Sequence, residues 1–155
     1  ITAVQGLPGP ELSVGLPLSA RREVAVGPDG LHIAGFAYVG GGHRVDKVEV
    51  SADGGASWLE ARICNHVVRP NGKQWAWTLW DMQLSVPQHL QDGSAITISC
   101  RAWDSEGRTQ PETPALSLKA TPSGYLYNPI HQVSATLYLK GNPRYIAPTG
   151  SLSSR

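Results

Sequence analysis

Val48-Glu49-Val50-Ser51-Ala52-Asp53-Gly54-Gly55-Ala56-Ser57-Trp58-Leu59-Glu60-Ala61-Arg62-Ile63 reads as two strands closed by a tight turn. Val48 and Val50 share one strand face, Ala52 to Gly55 supplies residues that tolerate positive φ, and Trp58 to Ile63 runs back. This is the strongest hairpin signal in the chain, and its period of two continues on both sides.

Upstream, Leu31, Ile33, Gly35, Ala37 and Val39 alternate with His32, Ala34, Phe36 and Tyr38, as a buried strand requires, and Gly40-Gly41-Gly42 ends the run. Downstream, a strand is expected over Gln74–Val86. There Trp75, Trp77 and Leu79 hold one parity and Trp80, Met82, Leu84 and Val86 the other, so a bulge near Trp80 is expected to reconcile them. Over Ala95–Trp103, Ile96, Ile98, Cys100 and Ala102 point inward and Thr97, Ser99 and Arg101 outward, before the turn Asp104-Ser105-Glu106-Gly107. Weaker strands are read at Leu116–Lys119 and Val133–Leu139, and no amphipathic helix stands out. About seven short strands with glycine-rich turns predict an all-β, two-sheet sandwich.

The expected organisation is an extended lead-in over 1–30, the sandwich over 31–140 and a flexible C-terminal tail over 141–155. Pro8, Pro10, Pro17 and Pro28 leave the lead-in few stretches able to hold a ladder, and the tail is rich in Pro, Gly and Ser. The chain opens Ile-Thr-Ala-Val without Met or a leader pattern, so removal of a leader or larger preceding segment is expected.

At 155 residues with 41% apolar and 16% charged residues, the composition fits one domain with a real core. The net charge of +1 comes with scattered basic residues, so nucleic-acid binding is not expected. No apolar run reaches the ~20 residues of a bilayer-spanning helix, so membrane insertion is not expected either.

Chemistry-bearing patterns are few. There is no Gly-x-Ser-x-Gly elbow. His32, His43, His66, His89 and His131 are isolated, so no metal ligands are assigned. Cys64 and Cys100 fit neither a zinc spacing nor a disulfide scaffold and are read as reduced, packed thiols. Asp53-Gly54-Gly55 and Asp104-x-Glu106-Gly107 lack the alternating oxygen ligands of a calcium loop and read as turns. Trp75-x-Trp77-x-x-Trp80 suits a sandwich core and its rim, with an aromatic ligand platform as the alternative. Gly40-Gly41-Gly42-His43-Arg44 suits a structural turn, with His43 and Arg44 as a possible anion contact. No catalytic residue is assigned.

The run Gly35-Phe36-Ala37-Tyr38-Val39-Gly40-Gly41-Gly42-His43-Arg44-Val45, followed by Val48 to Trp58, resembles the dimerisation domain of the sulfite oxidase and eukaryotic nitrate reductase family. Three later blocks agree in order: Trp75-Ala76-Trp77-Thr78-Leu79-Trp80; Cys100-Arg101-Ala102-Trp103-Asp104 with Gln110-Pro111-Glu112; and Gly124-Tyr125-Leu126-Tyr127-Asn128 with His131 and Val133. The resemblance covers about residues 31–135.

It implies an immunoglobulin-like (E-set) β-sandwich that follows a separate molybdopterin-binding domain and forms most of a two-fold contact. The expected function is dimerisation or assembly in a sulfite-oxidase-like molybdenum oxidoreductase, non-catalytic alone and without the molybdopterin domain. The alternatives are a structural subunit of a larger complex without oxidoreductase activity, and a generic immunoglobulin-like binding module. The resemblance places molybdopterin and molybdenum on a preceding domain or partner chain, implies a protein partner, and favours a mitochondrial location. It also implies one substrate-pocket position, an Arg in a Trp-Asn-x-Arg-Gly motif. The aligned stretch here is Ala120-Thr121-Pro122-Ser123-Gly124, so Ser123 replaces the Arg and Ala120 the Trp, which puts sulfite oxidation by any parent molecule in doubt.

Overall fold

A computed structural model describes residues 2–8, 22–65, 69–86, 91–120 and 128–142. Among them the chain forms strands β1 (Thr2–Pro8), β2 (Arg22–Ala25), β3 (Leu31–Val39), β4 (Val45–Ser51), β5 (Leu59–Glu60), β6 (Arg62–Ile63), β7 (Thr78–Leu84) and β8 (Ala95–Asp104), helix α1 (Pro114–Ala120), and strand β9 (His131–Tyr138). One sheet has the order β1-β3-β7-β6 and the other β2-β9-β8-β4-β5. Only β2 and β9 run parallel.

Alternation along each strand builds the core between the sheets. Leu31, Ile33, Ala37 and Val39 of β3, with Trp80 and Leu84 of β7, meet Val48 and Val50 of β4, Ile98, Cys100 and Ala102 of β8, and Leu137 of β9. Val45 lies three residues before Val48, yet both are buried. A register shift between Val45 and Lys47 restores the phase, as a bulge does.

The opening hairpin forms between β4 and β5, with Val50 opposite Leu59 and Glu49 opposite Glu60. Its return arm then changes sheets. Ala61 donates to the Val48 carbonyl at 2.9 Å, and the next two residues pair with β7. A single extended run thereby pins the two sheets together at one edge.

Three expectations are corrected. The ladder between β3 and β7 runs unbroken from Leu31 opposite Leu84 to Ala37 opposite Thr78, so there is no bulge at Trp80. Both phases of the tryptophan run coexist because this sheet is apolar on both faces: Trp80 is 1% exposed, while Trp77 is 55% and Leu79 51% exposed. Leu116–Lys119 is helical and not a strand. Thr113 caps the helix, its Oγ1 accepting from the Leu116 amide at 3.3 Å, and Pro114 takes the first helical position, where its missing N–H costs nothing. Ser99, expected outward in solvent, is buried.

At its described residues the expected lead-in lies against the sandwich. It contributes two strands, since Thr2–Pro8 pairs residue for residue with β3 from Val39 to Ile33, and Arg22–Ala25 pairs with β9. Pro8 is tolerated because it ends an edge strand. The expected tail lies outside the described residues beyond Asn142.

Candidate functional site

The Gly40–Arg44 turn sits between β3 and β4. Gly41 and Gly42 have φ of +74° and +79°, and a Cβ on Gly42 would lie 3.0 Å from the Trp75 ring, so the turn packs against that indole. Its polar groups are already engaged. The Gly42 carbonyl accepts from the Gln74 amide at 3.1 Å, the Val45 amide donates to Gln74 Oε1 at 3.3 Å, and the Arg44 amide donates to Ser105 Oγ at 3.3 Å. Arg44 Nε is 2.5 Å from Asp46 Oδ1, and His43 Nδ1 is 3.1 Å from Glu106 Oε1. An anion arriving here would compete with two carboxylates. Ser123 lies outside the described residues, as do His66 and His89.

The two acidic turns are likewise closed on themselves. Asp53 accepts from the Ser51 hydroxyl at 2.8 Å and from the Ser57 amide at 2.9 Å, and these bonds, with the Ser57 hydroxyl first among them, hold its carboxyl far below the usual carboxylate range. Asp104 accepts from the Glu106 and Arg108 amides at 2.9 and 3.0 Å and from Arg108 Nε at 2.8 Å. Burial pushes its carboxyl up, but these donors outweigh it and the pKa falls.

The two thiols lie in different surroundings. Cys100 is packed in the core, whereas Cys64, expected to be packed, is exposed. Burial of its sulfur and the nearby Asp81 charge push the Cys64 thiol up, against thiolate formation. Among the described residues no group of three His, Cys, Asp or Glu could hold a metal ion, and no helix is long and apolar enough to cross a membrane.

What the fold does present is two contrasting outer faces. On the β2-β9-β8-β4-β5 sheet, Glu49 lies at the centre of a charged and aromatic cluster. Its carboxylate accepts from Lys47 Nζ, Arg101 Nε and Trp103 Nε1, each at 2.7 Å. Arg101 also lies 4.0 Å from the Trp58 ring centroid and Lys47 5.2 Å from that of Trp103, within cation–π range. Burial raises the proton affinity of Glu49, but the three donors and the Arg101 charge outweigh it and bring the pKa down from 4.5 to about 2.

On the β1-β3-β7-β6 sheet, the rings of Phe36 and Trp77 lie 4.3 Å apart, tilted by 45°, with Tyr38 at 6.5 Å from the same indole. Trp75, Trp77 and Leu79 are each about half exposed. Beside them, Arg62 grips Asp81 through two bonds of 2.8 and 2.6 Å, and His32 Nε2 lies 3.7 Å from the same carboxylate. The sequence offers Trp75, Trp77 and Trp80 as a possible platform and sets Leu79 on the parity of the first two; Trp80 is buried in the core, and the Arg62–Asp81 pair is not foreseen. The signal for Phe36 beside them is the outward parity of β3.

The described residues thus form an immunoglobulin-like β-sandwich that exposes aromatic side chains on one sheet face. Residues 16–137 match the model of the Mo-co oxidoreductase dimerisation domain, and the chain belongs to that family. It is 41% identical over 95 residues to sulfite oxidase of Gallus gallus, covering 61% of this chain and 20% of the relative. It is 43% identical over 83 residues to nitrate reductase [NADH] 1 of Zea mays, covering 52% of this chain and 12% of that protein. Among solved structures, the sulfane dehydrogenase SoxCD from Paracoccus pantotrophus superposes with a TM-score of 0.51 at 30% identity, over 67% of this chain and 24% of that one. The chain thus spans a fifth or less of the length of these two curated relatives.

Proposed function

We propose that this domain holds two copies of a sulfite-oxidase-like molybdenum oxidoreductase together, with molybdenum and its pterin carried on another domain or a partner chain. The observation that carries this is the family match over residues 16–137. A mitochondrial location is part of the same reading, one relative being the mitochondrial sulfite oxidase of Macaca fascicularis, 39% identical over 103 residues.

A second reading, an assembly subunit without oxidoreductase activity, is favoured by Ser123 and Ala120 at the positions where the resemblance places Arg and Trp. A serine offers a tetrahedral oxyanion one neutral hydrogen bond in place of a charged fork. His43 and Arg44 are the nearest substitute this reading has for an anion contact, and both already face carboxylates.

The test is to isolate the full-length polypeptide from its native source and measure sedimentation together with pterin fluorescence and molybdenum content. A two-fold dimer carrying stoichiometric molybdenum supports the first reading. A dimer or larger complex without pterin supports the second, and a strict monomer removes the homodimer.

A further inference from the structure

We propose that Asn71, in the exposed turn Arg69-Pro70-Asn71-Gly72-Lys73, is a self-modification site, where the folded chain converts asparagine to aspartate and isoaspartate through a cyclic imide.

In that reaction the backbone nitrogen of the following residue attacks the side-chain amide carbon, so the following residue decides which asparagines can react. Of the four in the chain, Asn128 and Asn142 precede Pro129 and Pro143, whose nitrogens carry no proton to lose. Asn65 precedes His66, and both ends of its amide are held: Nδ2 donates to the Trp77 carbonyl at 3.1 Å, and Oδ1 accepts from the Leu79 amide at 2.6 Å. Asn71 precedes Gly72, which has no side chain to obstruct the approach, and a Cβ placed there would meet nothing within 4 Å.

The local geometry prepares the attack. Asn71 Oδ1 accepts from the Lys73 amide at 3.1 Å, which closes an Asx-turn around the Gly72 nitrogen and keeps the side-chain carbonyl beside it. An N–H on that oxygen also stabilises the negative charge it gains as its carbon becomes tetrahedral. The Gly72 amide donates to the Arg69 carbonyl at 2.8 Å, but this is a turn bond in water, of the kind that opens at little cost. Once it opens, hydroxide takes the Gly72 amide proton, the nitrogen bonds to Asn71 Cγ, and Nδ2 leaves as ammonia. Water then adds to either imide carbonyl. Breaking the new bond gives aspartate, and breaking the original peptide bond gives isoaspartate, so one water is taken up for each ammonia released.

Asp53-Gly54 and Asp92-Gly93 have the same following glycine. Hydrogen bonds, led by those from the Ser57 hydroxyl and the Leu139 amide respectively, hold their carboxyls below the usual carboxylate range. An ionised carboxylate resists attack by a second anion, so these turns are protected and Asn71 is not.

Either product sets a carboxylate between Arg69 and Lys73 and takes the formal net charge from +1 to zero. Isoaspartate also adds a methylene to the main chain just before Gln74, which is 2% exposed and ties the Gly42 turn to β7. The Gln74 amide donates to the Gly42 carbonyl at 3.1 Å, its Oε1 accepts from the Val45 amide at 3.3 Å, and its Nε2 donates to Thr78 Oγ1 at 2.6 Å. A lengthened backbone pulls against this anchor, so isoaspartate is expected to loosen it.

The experiment incubates the full-length polypeptide, folded and in urea, at pH 6 and pH 8, and follows every asparagine by peptide mass spectrometry with fragmentation that separates isoaspartate from aspartate. In the folded protein Asn71 should gain about one dalton, with isoaspartate the larger product and at least tenfold faster conversion at pH 8 than at pH 6. Asn65, Asn128 and Asn142 should lag at least tenfold behind it. Asn71→Gln, which would need a six-membered ring, should remove the signal with an unchanged melting temperature. In an isoaspartate-enriched fraction isolated by ion exchange, hydrogen exchange at the Gln74 amide should be at least tenfold faster. Conversion of Asn71 in urea but not in the folded protein overturns the proposal, because the turn then protects it. Equal conversion of Asn65, or aspartate without isoaspartate, overturns the imide route, and unchanged exchange at Gln74 overturns the strain on its anchor.

Discussion

Replacing Glu49 with Gln removes the charge on which three donors converge, at a position whose side chain is only 13% exposed. The pKa of the carboxyl falls from 4.5 to about 2 on folding, and each tenfold change in proton affinity is worth about 1.4 kcal/mol. The cluster therefore contributes about 3 kcal/mol at neutral pH. Because the folded-state pKa is depressed, that stability is fully present above about pH 4.5 and is lost as pH falls towards 2. A Gln keeps one acceptor oxygen but leaves Arg101 without its countercharge, so Glu49→Gln is expected to lower the melting temperature at pH 7 by about 10 °C. The informative assay is the difference between wild type and variant, followed by calorimetry from pH 7 to pH 2. Other carboxylates with depressed pKa, Asp81 and Asp104 among them, give both proteins an acid limb. The gap between the two curves should close progressively below pH 4.5. Equal melting temperatures at pH 7, or a gap that stays constant down to pH 2, would refute the reasoning.

Gly30→Ala should destabilise the fold by about 2 kcal/mol or more in urea unfolding, because the residue sits at φ +100° and its Cβ would lie 2.3 Å from the Leu84 carbonyl oxygen. Trp80→Ala should cost about 4 kcal/mol in the same assay. Trp80→Phe should cost less than half of that, since it fills much of the volume and removes an indole N–H that is buried without a partner among the described residues. Asp104→Asn should cost about 2 kcal/mol at pH 7 through the loss of charged acceptors for Arg108 and the loop amides. Its deficit should shrink in acid, because with a depressed folded-state pKa the stabilisation by Asp104 is fully present above its ordinary 3.8 and is lost as pH falls below that towards the lower folded value.

Much of the sandwich was legible because period-two burial leaves a local trace. Val48, Val50 and the Asp53-Gly54-Gly55 turn announce β4 and its return, and Ile96, Ile98, Cys100 and Ala102 announce β8, all as found. The errors came where two periodicities or two signals competed. Seven residues around Leu116 show no clear helical stripe, so the capping pair Thr113-Pro114 was the only local evidence for α1. β1 was missed since an edge strand rich in Gly and Pro carries little propensity and is ordered by β3. The charged cluster was invisible for a different reason: Glu49 meets Arg101 and Trp103 across 52 and 54 residues of sequence. Ser123, legible only through the family motif, has no signal of its own.

The tryptophan run shows how far a single strand can serve two purposes. A bulge would have turned both sets of apolar residues in β7 toward the core, at the cost of a broken ladder. Instead the ladder is continuous, and Trp80 enters the core while Leu79 and the preceding Trp77 stay outside. The core residues of that strand are then constrained by folding, whereas the outer ones contribute little to it because they remain half in water. Phe36 and Trp77 instead pack on one another, their rings tilted by 45° at 4.3 Å. Glu49 and its donors show the opposite balance, since the carboxylate is hydrogen-bonded within the chain to Lys47, Arg101 and Trp103 and its removal acts on folding. Changes on the two outer faces should therefore differ in calorimetry, those at Glu49 lowering the melting temperature and those at the half-exposed Leu79 leaving it nearly unchanged.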